Sequence, residues 1–421
     1  MLNLYRAATI AAGPLAGVAL RRRASRGKED LSRLGERFGR TSASRPPGAL
    51  VWIHAASVGE SLSVLPLVER MLNALPRGHV LLTTGTLSSA RLLKERLPER
   101  AFHQFVPIDR PDAVCRFLDH WQPELAIWVE SELWPNLLRD TQLRQIPTVL
   151  VQGRMSAKSY RYWRWARGLI APLLAGFDQV LVQTQADANR FRDLGAVQPM
   201  VTGTLKYAAP VLAAEETTLR ELGNALGART RWLAASVHPG EFEIVYQTHL
   251  VLRSRFPDLL TIVVPRHPSS ASYLEKEWAS KGLSCARRGV GMELSPETEI
   301  YIADTMGELG LFYRISPLAL IGGSFIDHGG QNPIEAIQLD CAVLTGPSMF
   351  NFSEVMADLV ANGVSVSIGT PAELPEELSV LLAAPEHASV LAQQQKKVIA
   401  AKAGVIDKVF EALVCRLPAP E

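Results

Sequence analysis

Short apolar runs alternate with helical segments along the chain from residue 50 onward, and this rhythm restricts the possible folds more than any single motif does. In the first half the apolar runs are VWIH, HVLLTT, FHQFVP, LAIWV, TVLVQ, QVLVQT and PMVTG. Segments with helical spacing of apolar residues lie between them, at 61–75, 86–97, 111–120, 133–144 and 156–175. Strands that alternate with helices form a parallel sheet wrapped by helices, so we predict an α/β fold.

The same alternation restarts after the stretch GTLKYAAP. The second set of apolar runs is RWLAASV, LLTIVVP, EIYIAD, PLALIGG, CAVLTG and GVSVSIG. Because 421 residues are too many for one ordinary core, we predict two Rossmann-like domains, 31–208 and 209–421. Open α/β sheets bind ligands beyond the carboxyl ends of their strands. Two such domains placed face to face would therefore bring their strand-end turns to one cleft.

The composition is that of a globular protein, with 47% hydrophobic and 20% charged residues. A formal net charge of +2 argues against a general nucleic-acid-binding protein. The four cysteines lie far apart without a CxxC pair, so the sequence suggests neither a zinc site nor a disulfide framework. A nucleoside triphosphatase, a dehydrogenase and a metal-bridged diphosphate site are not favoured, because no Walker, GxGxxG or DxD-like pattern follows a strand.

The first 30 residues differ from the rest of the chain. The apolar segment LYRAATIAAGPLAGVAL precedes the basic segment RRRASRGK, and residues 7–20 give only 14 uncharged positions where a spanning helix needs about 20. A cleavable signal has the opposite order, and arginines in this place stay on the cytoplasmic side. We predict a membrane anchor over residues 1–30, tilted or interfacial, with a basic collar for anionic lipid. A helix packed on the protein's own core is the alternative.

The stretch VWIHAASVGE, residues 51–60, combines a strand, a turn of small residues and the start of a helix. Ser57 and Glu60 have the spacing of a capping box, in which the hydroxyl and the carboxylate satisfy N–H groups at the helix start. A glutamate that faces an open cleft can instead act as a base and accept a proton. The local pattern leaves both interpretations of Glu60 open.

Polar and glycine-rich turns follow most of the other strands. Their sequences are VESELWP, GRMS, GTLK, SVHPGE, VPRHP, ADTMGEL, GGSFIDHGGQNPIEA and GPSMFNFSE. Asn332 followed by Pro333 predicts a helix start, and helix N-termini bind phosphate well because their N–H groups lack partners. Thr305 and Glu308 repeat the spacing of a cap and its glutamate. Glycine turns are also common in α/β proteins, so the chemistry alone favours a phosphate site and an ordinary turn equally.

In this order, the turns resemble those of 3-deoxy-D-manno-oct-2-ulosonic acid (Kdo) transferases, the bacterial enzymes that glycosylate lipid A precursor. The resemblance rests on SVGE, ESELWPN, GTLK, VPRHP, DTMGEL and GGSFIDHGGQNPIEA and covers nearly the whole chain. It implies a GT-B glycosyltransferase fold, with two Rossmann-like domains that face a central cleft. It also implies inverting transfer of Kdo from CMP-Kdo to lipid A precursor (lipid IVA), without a metal or other cofactor. The enzyme would then act in lipopolysaccharide biosynthesis at the cytoplasmic face of the inner membrane.

The resemblance further implies roles for individual residues. The family's general base falls on Glu60, and two positions credited with supporting the transition state fall on Glu130 and Lys206. Residues 31–208 would form the acceptor domain and residues 209–421 the CMP-Kdo domain. The CMP-binding positions fall on Pro265, Arg266, Met306, Gly307, Glu308, Asn332, Pro333, Ile334 and Glu335.

Three positions depart from the family pattern. Many members have S-T-H-x-G-E-E where this chain has SVHPGEF, so Val237 lacks a hydroxyl and Phe242 replaces a carboxylate. Direct nucleotide contacts from these two positions are therefore in doubt. Gln331 stands where many members have histidine, so this side chain can form hydrogen bonds but cannot titrate.

Residues 154–170, RMSAKSYRYWRWARGLI, place five basic and four large aromatic residues on one predicted helix. A solvated basic face with aromatic residues in the core is one interpretation. A surface that contacts the bilayer and lipid phosphates is the other. Arg154, at the strand end, has a third possible role, which is to bind a sugar carboxylate or an acceptor phosphate.

Two other functions remain compatible with the sequence. One is a sugar-nucleotide epimerase of the same fold, which has no use for an anchor or a basic collar. The other is a membrane-tethered nucleotide-sugar-binding protein without turnover. The combination of Glu60, Glu130 and Lys206 argues against that second alternative.

Overall fold

A computed structural model describes residues 1–208 and 211–418 of the chain. The chain divides into two compact units, one comprising Met1–Ala209 with Ala403–Glu421 and the other comprising Pro210–Lys402. The sequence pattern assigned everything from residue 209 to the C-terminus to the second domain. The structure corrects that assignment, because the last helix packs on the first unit.

A parallel sheet forms the centre of the first unit. Its strands are β1 (Leu50–His54), β2 (His79–Thr84), β3 (Ala101–Phe105), β4 (Leu125–Val129), β5 (Thr148–Gly153), β6 (Gln179–Val182) and β7 (Met200–Val201). In the described residues their order is β3-β2-β1-β4-β5-β6-β7. Strands β1, β4 and β5 are buried along their whole length, which explains their continuous apolar sequences. Strands are added outward from β1 to β3 on one side of the sheet and from β4 to β7 on the other, so the strand order reverses between β1 and β4. The carboxyl ends of these two strands form the first switch point.

Helices cover both faces of this sheet. They are α1 (Leu2–Ala11), α2 (Gly13–Ala24), α3 (Val58–Ala74), α4 (Leu87–Arg96), α5 (Pro111–Trp121), α6 (Pro135–Leu143), α7 (Ala157–Trp165), α8 (Arg167–Ala175) and α9 (Gln185–Leu194). Successive residues of β1 point to opposite faces, so Trp52 enters one apolar core and Ile53 enters the other.

The second unit repeats this architecture. Its strands are β8 (Arg231–Val237), β9 (Leu260–Pro265), β10 (Cys285–Arg287), β11 (Ile300–Ile302), β12 (Leu318–Ile321), β13 (Ala342–Thr345) and β14 (Val366–Ser367). Their order in the described residues is β10-β11-β9-β8-β12-β13-β14, which puts the second switch point between β8 and β12. The three residues of β10 are too few and too polar to stand out in the sequence, so this strand was missed.

Helices again lie between the strands of the second unit. They are α10 (Glu216–Leu226), α11 (Phe242–Arg253), α12 (Ala271–Ser280), α13 (Leu309–Ile315), α14 (Ile334–Gln338), α15 (Ser353–Ala361), α16 (Leu374–Ala383) and α17 (Pro385–Ala400). The chain then returns to the first unit, where the last helix, α18 (Val405–Val414), places Val409 and Leu413 in an apolar core beside Val68 of α3.

The N-terminal segment forms two helices, α1 and α2, which break at Ala12. A hydrogen bond from the Tyr5 hydroxyl to Asp109 (2.9 Å) and an ion pair between Arg6 and Asp140 (2.8 Å) attach α1 to the first unit. Residues 1–30 are therefore part of that unit rather than a domain of their own. Among the described helices, none combines the length and the apolar character needed to cross a membrane.

The predicted basic and aromatic helix is in fact two helices, α7 and α8, separated at Ala166. Its aromatic residues divide between two environments. Tyr160 and Trp163 pack against the core, whereas Tyr162 and Trp165 are exposed. The core interpretation is therefore right for only two of the four aromatic residues.

Candidate active site

Glu60 lies in the first turn of α3, just beyond the carboxyl end of β1. The Ser57 hydroxyl accepts the Glu60 N–H (3.3 Å) and donates to Glu60 Oε1 (2.7 Å). Glu60 Oε2 accepts the N–H of Ala56 (2.8 Å), the residue before the cap. The predicted helix cap is therefore confirmed, and its hydrogen bonds fix the orientation of the glutamate carboxylate.

The Glu60 carboxyl group has a shifted protonation equilibrium. Burial, followed by the negative charge of Glu130, raises the pKa of Glu60 to about 7, although the hydrogen bonds from Ser57 and Ala56 oppose that shift. General bases act best when their pKa lies near the working pH. A strong shift caused by burial and a specific charged neighbour is typical of functional sites.

Glu130 and Lys206 complete a group of charges at the first switch point. Glu130 follows β4 directly and has a left-handed backbone, with φ of 59°. Burial raises the pKa of Glu130, whereas the positive charges of Lys206 and Arg154 lower it. Lys206 lies in the short 3-10 turn Leu205–Ala208. The structure thus brings together Glu60, Glu130 and Lys206, with Arg154 as a fourth charged member.

Pro265 and Arg266 lie at the carboxyl end of β9 in the second unit. Pro265 is buried, and the Arg266 N–H donates to Val237 O (2.8 Å), which fixes the start of the turn. The Arg266 guanidinium is exposed and forms no hydrogen bond or ion pair with any residue that the structure describes. An exposed guanidinium in this position is available for a bidentate anion.

Three histidine rings lie near Arg266. The ring centroid of His238 is 4.2 Å from that of His328 and 6.3 Å from that of His267. Burial lowers the pKa of His238, and the neighbouring His328 and Arg266 lower it further, although the charge of Glu241 opposes the shift. An anionic ligand beside His238 would favour its protonated form.

Of the three predicted CMP contacts at 306–308, two residues are accessible and the third already forms an ion pair within the protein. Met306 is 79% exposed, and Gly307 has a left-handed backbone with open space around it. Glu308 forms a bidentate ion pair with Arg288 (2.5 and 2.6 Å), whose hydrogen bonds lower the pKa of Glu308. Thr305 donates to the Glu308 carboxylate instead of capping α13, so the predicted helix cap is wrong.

The predicted contacts at 332–335 lie at the start of α14. Asn332 Oδ1 accepts the Ile334 N–H (3.1 Å), and Asn332 Nδ2 donates to Glu335 Oε1 (3.1 Å). The helix begins at Ile334, after Pro333 and one residue later than predicted, and it is only five residues long. Its dipole is correspondingly small, so the helix start supports phosphate binding less than the sequence indicated.

Glu241 is a site residue that the sequence interpretation missed. Its fully buried carboxylate accepts four backbone N–H groups, those of His238 (3.0 Å), Gly323 (2.7 Å), Ser324 (3.0 Å) and Phe325 (3.1 Å). It thereby joins the turn after β8 to the turn after β12 at the second switch point. The available signal was its position three residues after His238, the spacing of a capping box.

Close backbone packing explains the first glycine of the GGSF turn. A Cβ atom on Gly322 would lie 2.4 Å from Ser236 O, so only glycine fits. Ser236 itself has φ of 58° where the register of β8 shifts. Val237 and Phe242, the two departures from the family pattern, lie in the apolar core of this unit.

Across residues 1–208 and 211–418, no group of three or more histidine, cysteine, aspartate or glutamate side chains is arranged to hold a metal ion.

Residues 32–209 match the family described as 3-Deoxy-D-manno-octulosonic-acid transferase (kdotransferase). The chain is 38% identical to the probable mitochondrial 3-deoxy-D-manno-octulosonic acid transferase of Arabidopsis thaliana, over 91% of this chain and 88% of that protein. It is 33% identical to the 3-deoxy-D-manno-octulosonic acid transferase of Rickettsia bellii, over 91% of each chain.

Among solved structures, the chain is similar to UDP-GlcNAc 2-epimerase from Neisseria meningitidis bound to UDP-GlcNAc. The TM-score is 0.60 and the identity is 14%, over 87% of this chain and 100% of that chain. At this identity the likeness shows the fold alone, two Rossmann-like units as in the GT-B class. The two transferases from Arabidopsis thaliana and Rickettsia bellii show the family as well as the fold, because their sequence similarity extends over nearly the whole chain. On that basis the chain belongs to the 3-deoxy-D-manno-octulosonic acid transferase family.

Proposed function

We propose that this transferase moves Kdo from CMP-Kdo to lipid A precursor (lipid IVA), with inversion at the anomeric carbon. The observation that carries this proposal is the charge group at the first switch point. There Glu60, with a pKa of about 7, lies beside Glu130, whose own pKa is raised by burial and lowered by the positive charges of Lys206 and Arg154. Membership in the transferase family supports Kdo as the transferred sugar.

Glu60 acts as the general base in this proposal. Its carboxylate takes the proton from the acceptor hydroxyl while that oxygen bonds to the anomeric carbon of Kdo and the bond to the CMP phosphate breaks. The transition state resembles an oxocarbenium ion. A positioned carboxylate base contributes about a hundred- to ten-thousand-fold in rate. The hydrogen bonds from Ser57 and Ala56 hold one carboxylate orientation for this step.

Glu130 and Lys206 tune this base and the charge around it. The negative charge of Glu130 makes Glu60 a stronger base, since it raises the pKa of Glu60. Lys206 and Arg154 supply two positive charges near Glu130. Those charges suit the Kdo carboxylate and an acceptor phosphate, both of which are anionic during transfer.

The second unit binds the donor nucleotide in this proposal. CMP leaves with one phosphate, whose charge suits the exposed Arg266 guanidinium and the adjacent histidine cluster. The Asn332 and Glu335 side chains, already joined by a hydrogen bond, present polar groups for the ribose or the base. The backbone of Pro265, Pro333 and Ile334 shapes these turns. Glu308 and its partner Arg288 position the exposed Met306–Gly307 turn.

The lipid acceptor requires contact with a membrane, which we assign to the cytoplasmic face of the inner membrane. Residues 1–30 then form an interfacial anchor instead of a spanning one. α1 and α2 expose apolar side chains, namely Leu4, Ile10, Leu15 and Val18. The last turn of α2 carries the three basic residues Arg21, Arg22 and Arg23. An amphipathic segment with basic residues binds anionic bilayers.

α7 and α8 extend the same surface of the first unit. Met1 lies beside Gly168 of α8, where a Cβ atom would approach the Met1 sulfur to 2.9 Å. Trp165 at the end of α7 is 91% exposed. Exposed tryptophan next to basic residues is typical of membrane interfaces, where the ring lies at the headgroup level.

Incubation with CMP-Kdo and a tetra-acylated lipid A precursor tests the activity. We expect CMP release that depends on the lipid and a lipid mass increased by Kdo, measured by mass spectrometry. An epimerase would change the donor sugar without lipid, and a binding protein would release no CMP. Either of these results would replace the proposed function.

Flotation with vesicles that contain anionic lipid tests the membrane contact. Trp165→Ser should reduce the fraction that floats, because the substitution removes an exposed ring from the proposed surface. Tyr273→Ser is the matched control, since Tyr273 is an exposed aromatic residue of the second unit. Equal losses for the two variants would argue against a membrane surface on α7.

A further inference from the structure

Gln152 lies at the centre of a buried hydrogen-bond network in the first unit. It is fully buried near the end of β5. Its Nε2 donates to Ser63 Oγ (2.7 Å), and its Oε1 accepts the Thr204 hydroxyl (2.9 Å) and the Leu205 N–H (3.0 Å). These partners belong to α3 and to the segment after β7, so one side chain joins three separate parts of the chain.

Each end of this network reaches a member of the proposed catalytic group. The Ser63 hydroxyl donates to the backbone carbonyl of Glu60 (2.8 Å). At the other end, Thr204 Oγ1 accepts the Lys206 N–H (3.3 Å). Hydrogen bonds therefore run without interruption from the backbone of Glu60, through Ser63, Gln152 and Thr204, to the backbone of Lys206.

The backbone of Gln152 is strained to make these contacts. Its φ is 55°, and the pairing register of β5 with β6 shifts between Leu150 and Gly153. The carbonyl of Gln152 accepts a hydrogen bond from the side chain of Gln183 (3.1 Å). Residues in such conformations persist only where the surrounding structure over-determines them, and they cluster at functional sites.

We propose that Gln152 is a positioning residue for the transfer reaction. It sets the distance between the helix that carries Glu60 and the turn that carries Lys206, so that the lysine charge stays beside Glu130. Gln152 itself does not touch the reacting atoms. This inference rests on the proposed function, because it concerns the geometry of the same catalytic group.

Gln395 provides a matched control for Gln152. It is equally buried, in the second unit, and also makes three hydrogen bonds, with Val343 N–H (2.9 Å), Val343 O (3.1 Å) and Val364 O (3.0 Å). Methionine preserves the length of glutamine and removes its polar atoms. Gln152→Met and Gln395→Met therefore cause the same chemical change at two sites of equal burial.

We expect both variants to lose thermal stability and only Gln152→Met to lose turnover. Its kcat should fall about ten- to hundred-fold, as expected for a small misplacement of a catalytic group. The KM for CMP-Kdo and the affinity for CMP should remain unchanged. A purely structural role would lower the amount of folded protein without this split between kcat and KM.

Hydrogen exchange at the Leu205 amide gives a readout that does not depend on turnover. This amide donates to Gln152, so its protection should fall in Gln152→Met and persist in Gln395→Met. If Gln152→Met does not fold, Ser63→Ala and Thr204→Val remove one side of the network each. Both milder variants should then lower kcat.

Two results would overturn the positioning role while the proposed function stands. One is Kdo transfer by the wild type with equal kcat losses in Gln152→Met and Gln395→Met. The other is normal kcat in both Ser63→Ala and Thr204→Val. Absence of lipid-dependent CMP release from the wild type would instead overturn the proposed function itself, and the positioning role with it.

Discussion

At the scale of single residues, Glu60 combines two roles that its sequence pattern presented as alternatives. The hydrogen bonds from Ser57 and Ala56 make the carboxylate part of the helix cap. These bonds lower the pKa of Glu60, but burial and the charge of Glu130 raise it by more, to about 7. The cap therefore orients the same carboxylate that burial makes basic.

Glu60→Gln should transfer Kdo at least about a hundred-fold more slowly, because glutamine keeps the cap but accepts no proton. kcat and kcat/KM should fall together, and the affinity for CMP should not change. In the wild type, kcat should rise with pH through about 7 as Glu60 loses its proton. Steady-state kinetics on saturating lipid acceptor measure both effects. A variant within a few-fold of the wild type would make Glu130 the next candidate base.

Glu60→Gln should also alter the pH dependence of stability. The pKa of Glu60 is about 7 in the folded protein, above its usual value of 4.5. The folded state therefore holds this proton more tightly, and Glu60 lowers the free energy of unfolding as pH rises from 4.5 through 7. Glutamine cannot ionise, so the Tm difference in favour of the variant should grow over this window. Calorimetry at several pH values checks this, and a constant difference would contradict the raised pKa.

Arg266→Ala should weaken CMP binding about ten- to hundred-fold, since it removes a charge-assisted hydrogen bond to the phosphate. Arg255→Ala is a suitable control, because Arg255 is an exposed arginine of the same unit that pairs with Glu376. Titration calorimetry with CMP measures both variants. An unchanged affinity in Arg266→Ala would place the nucleotide elsewhere.

At the scale of structural elements, the turns after β8 and β12 are held together by one buried carboxylate. Glu241 accepts three N–H groups of the GGSF turn, those of Gly323, Ser324 and Phe325. A carboxylate supplies acceptors only, which suits a site where four N–H groups converge. The shape of the proposed donor turn therefore depends on a residue outside that turn.

Glu241→Gln should lower the free energy of unfolding by roughly 2–5 kcal/mol, because the amide NH2 would face buried N–H donors and leave them unsatisfied. Glu243→Gln is the control, since Glu243 lies on the same helical segment with an exposed side chain. Its effect should stay within about 0.5 kcal/mol. Urea denaturation of both variants checks this. Similar values for the two would show that the four hydrogen bonds contribute little.

At the scale of the whole molecule, the chain returns to the first unit after completing the second. α18 packs Val405, Val409 and Leu413 into the apolar core that contains Leu205, next to Lys206. At the edge of this core, the half-buried Phe410 of α18 lies beneath the guanidinium of Arg70, 5.1 Å from the ring centroid. The last helix therefore supports both α3 and the turn that carries the proposed catalytic lysine.

Val409→Asp should destabilise the first unit by more than about 3 kcal/mol, because it buries a carboxylate without a partner. Val414→Asp makes the same change on the exposed side of α18 and should stay within about 0.5 kcal/mol. Equilibrium unfolding measured by tryptophan fluorescence compares the two. Equal effects would contradict the docking of α18 on the first unit.

The sequence alone determined most of the elements and part of the chemistry of their ends. Every apolar run named from the sequence overlaps a strand, because strand and helix periodicity depends on residues only a few positions apart. The resemblance of the turn motifs to the family predicted Glu60, Glu130 and Lys206 as the catalytic residues. The sequence interpretation treated the N-terminal segment as one anchor, but the segment forms two helices, and Gly13 and Pro14 begin the second. Because proline is tolerated in the first turn of a helix, the local sequence also allows this break.

Only the tertiary structure decided which distant residues meet. Gln152 and Ser63 are 89 positions apart, and Glu241 and Gly323 are 82 apart. No local pattern connects such pairs, since strand order and helix packing select the partners of buried polar groups after the elements have formed. The return of α18 to the first unit has the same cause. The sequence shows that this helix has an apolar face, but it does not show which core that face packs against.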